Sequence, residues 1–187
     1  MRSVVVYESM YGNTHHIATA VAAGLGTLSE VAILPVAELG GAVLTGVDLV
    51  VVGGPTHAHG ISRASTRKAA VDAARSPEKG LTIEPNAAGQ GLRDWFDGLG
   101  DISVRGAAFD TRVDLPSVLT GRASRAIAKQ LRHHGCELIG EPESFLVDKE
   151  NHLLDGEDER ARRWGELLVE RINSEAMAGP RLGRLGT

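Results

Sequence analysis

The sequence predicts a doubly wound α/β fold: a five-stranded parallel sheet in the order 2-1-3-4-5, with helices on both faces. Three observations predict it. Strand-like apolar runs alternate with helical stretches about five times along the chain. The run Val47-Asp48-Leu49-Val50-Val51-Val52 is apolar on nearly every position, as a strand covered on both faces must be. Right-handed crossovers cover both faces of such a sheet only if the winding reverses once, and ligands bind in the crevice at that reversal. The first and third strands flank it.

Residues 3–7 are β-branched and apolar and run straight into turn residues, so they form the first, buried strand. Ile17, Val21 and Leu25 recur every four residues and mark a helix over 14–25, ended by Gly24 and Gly26. Residues 31–36 make the second strand and 47–52 the third, closed by Gly53-Gly54-Pro55. A helix follows over about 65–75, and then a loop over 76–90 with two prolines and two glycines. Leu92, Trp95, Phe96 and Leu99 share one helical face and belong to the core. Residues 104–109 are the fourth strand, and Ala123, Ile127 and Leu131 mark a helix stopped by Gly135. Residues 136–139 and 145–147 form a fifth strand interrupted near Pro142. Asp155 is placed to cap a last helix through Trp164, Leu168 and Ile172. Residues 1–173 thus form one domain, and 174–187, rich in Gly and Arg, a loose tail.

Composition narrows the function. A chain of 187 residues, 42% apolar and 24% charged, can bury a real core as one soluble domain. A net charge of −4 gives no case for nucleic acid. No apolar run reaches the roughly 18 residues of a membrane helix, and the N-terminal run is too short for a signal peptide. Cys136 is the single cysteine, so no internal disulfide forms. A cytoplasmic protein is expected.

The chemistry lies in two loops at the expected crevice. Ser9-Met10-Tyr11-Gly12-Asn13-Thr14 leads from the first strand into a helix N-terminus, where unpaired amides and the macrodipole favour an anion. Gly12 permits a positive φ, and Ser9, Asn13 and Thr14 add neutral donors. Neither the Gly-Lys-Ser/Thr ending of a P-loop nor G-x-G-x-x-G is present. The second loop, after the third strand, reads Gly54-Pro55-Thr56-His57-Ala58-His59-Gly60.

The first loop resembles the phosphate loop of the flavodoxin family, Ser/Thr-x-Thr-Gly-x-Thr, with Tyr11 at the third position as in Ser-Met-Tyr-Gly branches that include quinone-reducing relatives. The second resembles that family's flavin-ring loop in its place and its Pro-Thr. The resemblance covers residues 3 to about 173 and implies non-covalent FMN. Ser9, Met10, Tyr11, Gly12, Asn13 and Thr14 would hold the phosphate. Pro55, Thr56, His57, Ala58 and Gly60 would approach the ring, with Asp110, Thr111 and Arg112 from the loop after strand four. The family's Gly in the second loop lets a peptide flip near the flavin, a role that falls on Gly60. Neither loop supplies the usual Trp or Tyr wall; Tyr11 and Met10 are left to supply part of it.

The resemblance implies electron transfer with a partner protein. Its alternatives are an NAD(P)H-dependent quinone reductase and a binding or regulatory module that has lost the flavin. Arg63, Arg67 and Lys68, following the second loop, would form a basic rim suited to NAD(P)H or an acidic protein. Relatives in the reductase branch associate, which leaves a dimer or tetramer open. The histidine pairs 15–16, 57/59 and 133–134 fall short of a zinc set, and Cys136 reads as a small buried hydrophobe. Residues 76–90 are long for a connection and are placed to cover the open ring face.

Overall fold

A computed structural model describes residues 1–26, 30–39 and 44–178. Its elements are β1 (Arg2–Tyr7), α1 (Asn13–Leu25), β2 (Glu30–Pro35), β3 (Leu49–Pro55), α2 (Ala64–Ala74), α3 (Leu92–Asp97), β4 (Arg105–Val113), α4 (Ser117–Thr120), α5 (Ala123–His133), β5 (Glu137–Leu138), β6 (Glu143–Val147) and α6 (Glu157–Ala178). The strands are parallel and ordered β2-β1-β3-β4-β5, with β6 also paired to β4. The expected fold class and strand order are therefore the observed ones.

The period-2 geometry of the strands divides the core. Val5, Tyr7, Leu49, Val51, Ala107 and Phe109 face α1 and α6, where Trp164, Leu168 and Ile172 pack on them. Val4, Val6, Val50, Val52 and Ala108 face the opposite side, under Leu92 and Phe96 of α3 and Ile127 and Leu131 of α5. That is why the third strand is apolar on both faces.

The fifth strand is split, and the split lengthens its neighbour. β5 pairs only with Arg105 and Gly106. The chain then turns through Gly140-Glu141-Pro142 and returns as β6 along Phe109–Val113. With a partner there, β4 runs to Val113 instead of stopping at Phe109. Asp110, Thr111 and Arg112, read from the sequence as a loop, are strand residues. α6 begins at Glu157, past the expected cap Asp155, and its first turn carries Glu157, Asp158 and Glu159, the favourable sign for a helix N-terminus. The helix continues to Ala178, so the first five residues of the expected tail are helical; residues 179–187 lie outside the described residues.

α1 and α6 meet at Gly24 and Gly165. A Cβ on Gly24 would fall on the Arg162 carbonyl, and one on Gly165 on the Val21 carbonyl. Only glycine lets these two backbones approach so closely.

Cys136 is 6% exposed beneath α5, and burial pushes its thiol up to about 11. With almost no thiolate at pH 8, it is expected to stay unreacted with Ellman's reagent while the protein is folded and to react promptly in urea. Prompt reaction under native conditions would show the packing around it to be wrong.

Candidate functional site

A cavity of about 220 Å³ opens at the carboxyl ends of β1 and β3, where the winding reverses. Ser9, Met10, Tyr11, Asn13 and Thr14 form one wall, Pro55, Thr56 and His57 a second, and Thr111, Arg112 and Val113 a third. Val147 and Asn151 close it from the β6 side. Ten of the residues expected from the sequence thus line one crevice. Gly12, Ala58, Gly60 and Asp110 do not line it, for reasons given below.

Gly12 caps α1 with φ +93° and donates its amide to Ser9 Oγ at 3.1 Å. This left-handed cap, which strains any residue but glycine, turns the chain from strand to helix in three residues. The leading amides of α1 have no intrahelical acceptor, and its first turn carries no acidic residue. Glu84, from another segment, sets a carboxylate oxygen beside Gly12 and 3.2 Å from His15 Nδ1, while the leading amides stay free to take an external anion. The side chains are less free. Thr14 and Thr111 share a hydroxyl–hydroxyl bond of 2.7 Å, and Asn13 Nδ2 donates to the Asn151 carbonyl at 2.8 Å. The threonine pair still leaves one hydroxyl proton to give. Met10 and Tyr11 do not form a flat ring wall: Met10 is 2% exposed and packs on Ala70 and Ala87, and the Tyr11 hydroxyl donates to the Ala70 carbonyl at 2.9 Å. The apolar walls are instead Pro55, Val113 and Val147.

Thr56 and Asp110 have structural duties. Asp110 is fully buried; its Oδ2 accepts from Thr56 Oγ1 at 3.0 Å and from the Ser124 amide at 2.8 Å. Thr56 Oγ1 in turn accepts the Ala123 amide at 2.9 Å. The pair caps α5 and ties it to the second loop; Asp110 stands behind the crevice lining, with its Oδ1 buried and unpartnered. Arg112 spends Nη1 on the carbonyls of Val113 (3.2 Å) and Leu115 (2.7 Å), while its buried Nε has no partner. It is the cation of the crevice wall.

Residues 57–60 form a tight turn closed by two bonds, His57 amide to Gly60 carbonyl (2.9 Å) and the reverse (3.0 Å). Its positive φ angles fall on Ala58 (+44°) and His59 (+73°), not on Gly60. Strain in this turn is therefore carried by residues with a Cβ, of a kind that clusters at functional sites. Gly60 has no left-handed conformation; the two left-handed residues of this turn are Ala58 and His59.

His57 is half-buried at the edge of the crevice, and its pKa is lowered. Burial is the main cause; Arg67 adds to it and Glu8 opposes it. Above the unfolded value of about 6.5 both states are neutral. As pH falls, the unfolded chain takes the proton first. Stability is therefore full above that value and is lost as pH drops through the lower folded value. His57→Gln is expected to remove this part of the acid sensitivity. An NMR titration of the His57 ring with a midpoint at or above the ordinary value would contradict it.

Sequence reasoning missed the network that holds the second loop. Glu8, 4% exposed at the end of β1, accepts the Ser62 hydroxyl at Oε1 and the Leu92 amide at Oε2 (2.8 Å). Arg67, 5% exposed, reaches Ser62 Oγ (3.3 Å) and Asp94 (2.7 Å). The Gly91 amide chiefly, and Arg67 further down, hold the Asp94 carboxyl below the usual range against the cost of burial. The expected basic rim is thereby corrected: Arg67 is inside the protein, and Lys68 is paired with Asp72 at 2.7 Å. A charged residue directly after an apolar strand, as Glu8 is, was the available signal. Asn151, at φ +69°, was also missed, since nothing in the sequence ties its turn to the first loop.

Residues 76–90 do not cover the crevice. Glu84 donates its amide to the Met10 carbonyl (2.8 Å), and Ile83 and Ala87 pack on Met10, buttressing the first loop from behind. Glu84, Pro85, Asn86 and Gln90 line a separate cavity of about 200 Å³ there with Tyr7, Glu8 and Glu38. Glu84 Oε1 lies 3.2 Å from His15 Nδ1, and His15 stacks on Tyr7 at 4.7 Å. Among the described residues no group of three His, Cys, Asp or Glu is placed to hold a metal ion, and no helix is long and apolar enough to cross a membrane.

The crevice fits an anionic ester with an apolar body. It offers helix-leading amides with no intrahelical acceptor, small hydroxyls, one cation with an unsatisfied Nε, and aliphatic walls, with the Glu84 carboxylate beside the helix end on His15. No family model matches the chain, and no curated protein sequence matches it significantly. Solved structures do. A flavodoxin from the domain Archaea superposes with TM-score 0.64 at 18% identity, covering 92% of this chain and 99% of that one. Oxidised flavodoxin 1 from Bacillus cereus gives 0.62 at 15%, covering 91% and 98%. A flavodoxin, WrbA-like protein from Agrobacterium tumefaciens gives 0.54 at 22%, covering 92% and 98%. The chain has the flavodoxin fold.

Proposed function

We propose that this flavodoxin-fold chain is a cytoplasmic redox protein that holds FMN non-covalently in the crevice between β1 and β3. The supporting observation is the convergence there of the leading amides of α1 with the Pro55–His57 loop and Arg112. When bound, FMN supplies reversible electron storage. The chain's residues do the rest. Loop 9–14 receives the phosphate on backbone amides and the Ser9 and Thr14 hydroxyls. Arg112 adds charge on the third wall, and Pro55, Val113 and Val147 shield the apolar body from water. His57, kept neutral by burial, presents an imidazole at the crevice edge.

Electrons would pass to and from a partner protein. A second reading, NAD(P)H-dependent reduction of quinones, is favoured by the same neutral His57, which is suited to proton exchange, and by the lack of an aromatic lid over the crevice. The test is direct. Purified protein with absorbance at about 450 nm and on the order of one flavin per chain supports the cofactor. Turnover of NAD(P)H with an added quinone selects the reductase reading, and its absence selects the carrier. Protein that is colourless and takes up no added FMN overturns both and leaves a binding module on this fold.

A further inference from the structure

Of six large hydrophobic side chains exposed among the described residues, three fall within five positions: Leu115 (41%), Val118 (84%) and Leu119 (63%). They lie on the turn after β4 and on α4. The Arg112 guanidinium holds that turn through the Val113 and Leu115 carbonyls, and Gly121 pairs with His59 of the second loop. The apolar patch is thus built onto two elements of the crevice and sits at its edge.

A basic face continues from it. Arg125, Lys129 and Arg132 are exposed on α5 at a spacing that puts them on one side of the helix. None makes an ion pair among the described residues, whereas Arg67, Lys68, Arg75, Arg160 and Arg162 all do. Arg125 and Arg132 line an open groove of about 500 Å³ in which Glu141 is the one carboxylate. Arg122, which also lines the groove, is spent on Ser144 Oγ (3.0 Å) and the Pro142 carbonyl (2.6 Å). A chain of net charge −4 has therefore gathered three unpaired cations beside its most exposed aliphatics.

From this juxtaposition we infer that residues 115–132 form a docking face for an acidic electron-transfer protein, which sets its carboxylates on Arg125, Lys129 and Arg132 and an apolar spot on Val118 and Leu119. A second copy of the chain fits poorly: a two-fold contact would set the same cations against each other. The place at which an acidic partner docks is what is new. It rests on the redox reading for its purpose, but not for its binding.

The test is an NMR titration of the isotope-labelled full chain with an acidic [2Fe–2S] ferredoxin as probe, and with basic cytochrome c as the opposite charge. Ferredoxin is expected to shift amides of residues 115–132, more weakly as salt rises, and cytochrome c is expected not to. The charge reversal R125E/K129E/R132E should slow ferredoxin association by at least about tenfold. V118S/L119S should weaken binding while leaving its salt dependence unchanged. FMN uptake, measured separately by fluorescence, should be the same in every variant. If ferredoxin binds here while FMN does not, the docking face stands and the cofactor reading falls. Equal shifts with cytochrome c, no shifts at 115–132, dimerisation through this face, or binding to phosphatidylserine vesicles in place of ferredoxin would each overturn the inference.

Discussion

Arg67→Ala is expected to cost about 3–5 kcal/mol of folding stability, the range for removing one partner of a buried charged cluster. The guanidinium is 5% exposed and bridges Ser62 to Asp94, while Ser62 donates to the equally buried Glu8. Without Arg67 the buried Glu8 carboxyl loses the cation that reaches its partner Ser62, and Asp94 loses its ion pair. Urea unfolding should show a lower midpoint at an unchanged slope. The same change should weaken FMN binding, because the network ties the second loop (through Ser62) to β1 and α3. Arg67→Lys keeps the charge but not the fork that reaches two partners, and should recover only part of the loss. A loss below about 1 kcal/mol in Arg67→Ala would mean that the cluster is not buried as described.

Gly165→Val is expected to cost about 3 kcal/mol, the upper end for overpacking. The obstacle is the Val21 carbonyl, which is backbone and has no rotamer to escape into. α1 and α6 would have to separate, and α6 brings Trp164, Leu168 and Ile172 onto the sheet face shared with α1. Because the leading amides of α1 are part of the site, the variant should lose FMN affinity along with stability. Thermal unfolding measures the first effect. A substitution tolerated without a shift in midpoint would show that the two helices do not cross at Gly24 and Gly165.

Much of this was legible from the residues alone. The alternation of elements and the two-faced apolar third strand carry the sheet order, since sheet winding leaves few other solutions. The loop 9–14 and Pro55–His57 share the crevice because both follow strands that flank the reversal. What the sequence could not show came from pairing between distant segments. β4 extends past Phe109 because β3 continues beside it to Thr111 and β6 returns on its other side to Val113, more than thirty residues later. That turns Asp110 from a loop residue into the buried cap of α5. Residues 76–90 were assigned to the crevice because they are long. They pack instead behind Met10, where Ile83 and Ala87 find an apolar surface. Arg67 looked like part of a wet basic rim; a buried arginine is told from an exposed one only by its partners, and Glu8 and Asp94 lie far from it in sequence.

The central claim is that the loop between β1 and α1 receives a phosphoryl group. Fluorescence titrations of the purified chain with FMN and with riboflavin, which differ only in that group, test it most directly. FMN should bind at least about 100-fold more tightly, as expected when a helix N-terminus and charge-assisted hydrogen bonds hold the phosphate. Equal affinities for the two flavins, or no binding of either, would contradict it.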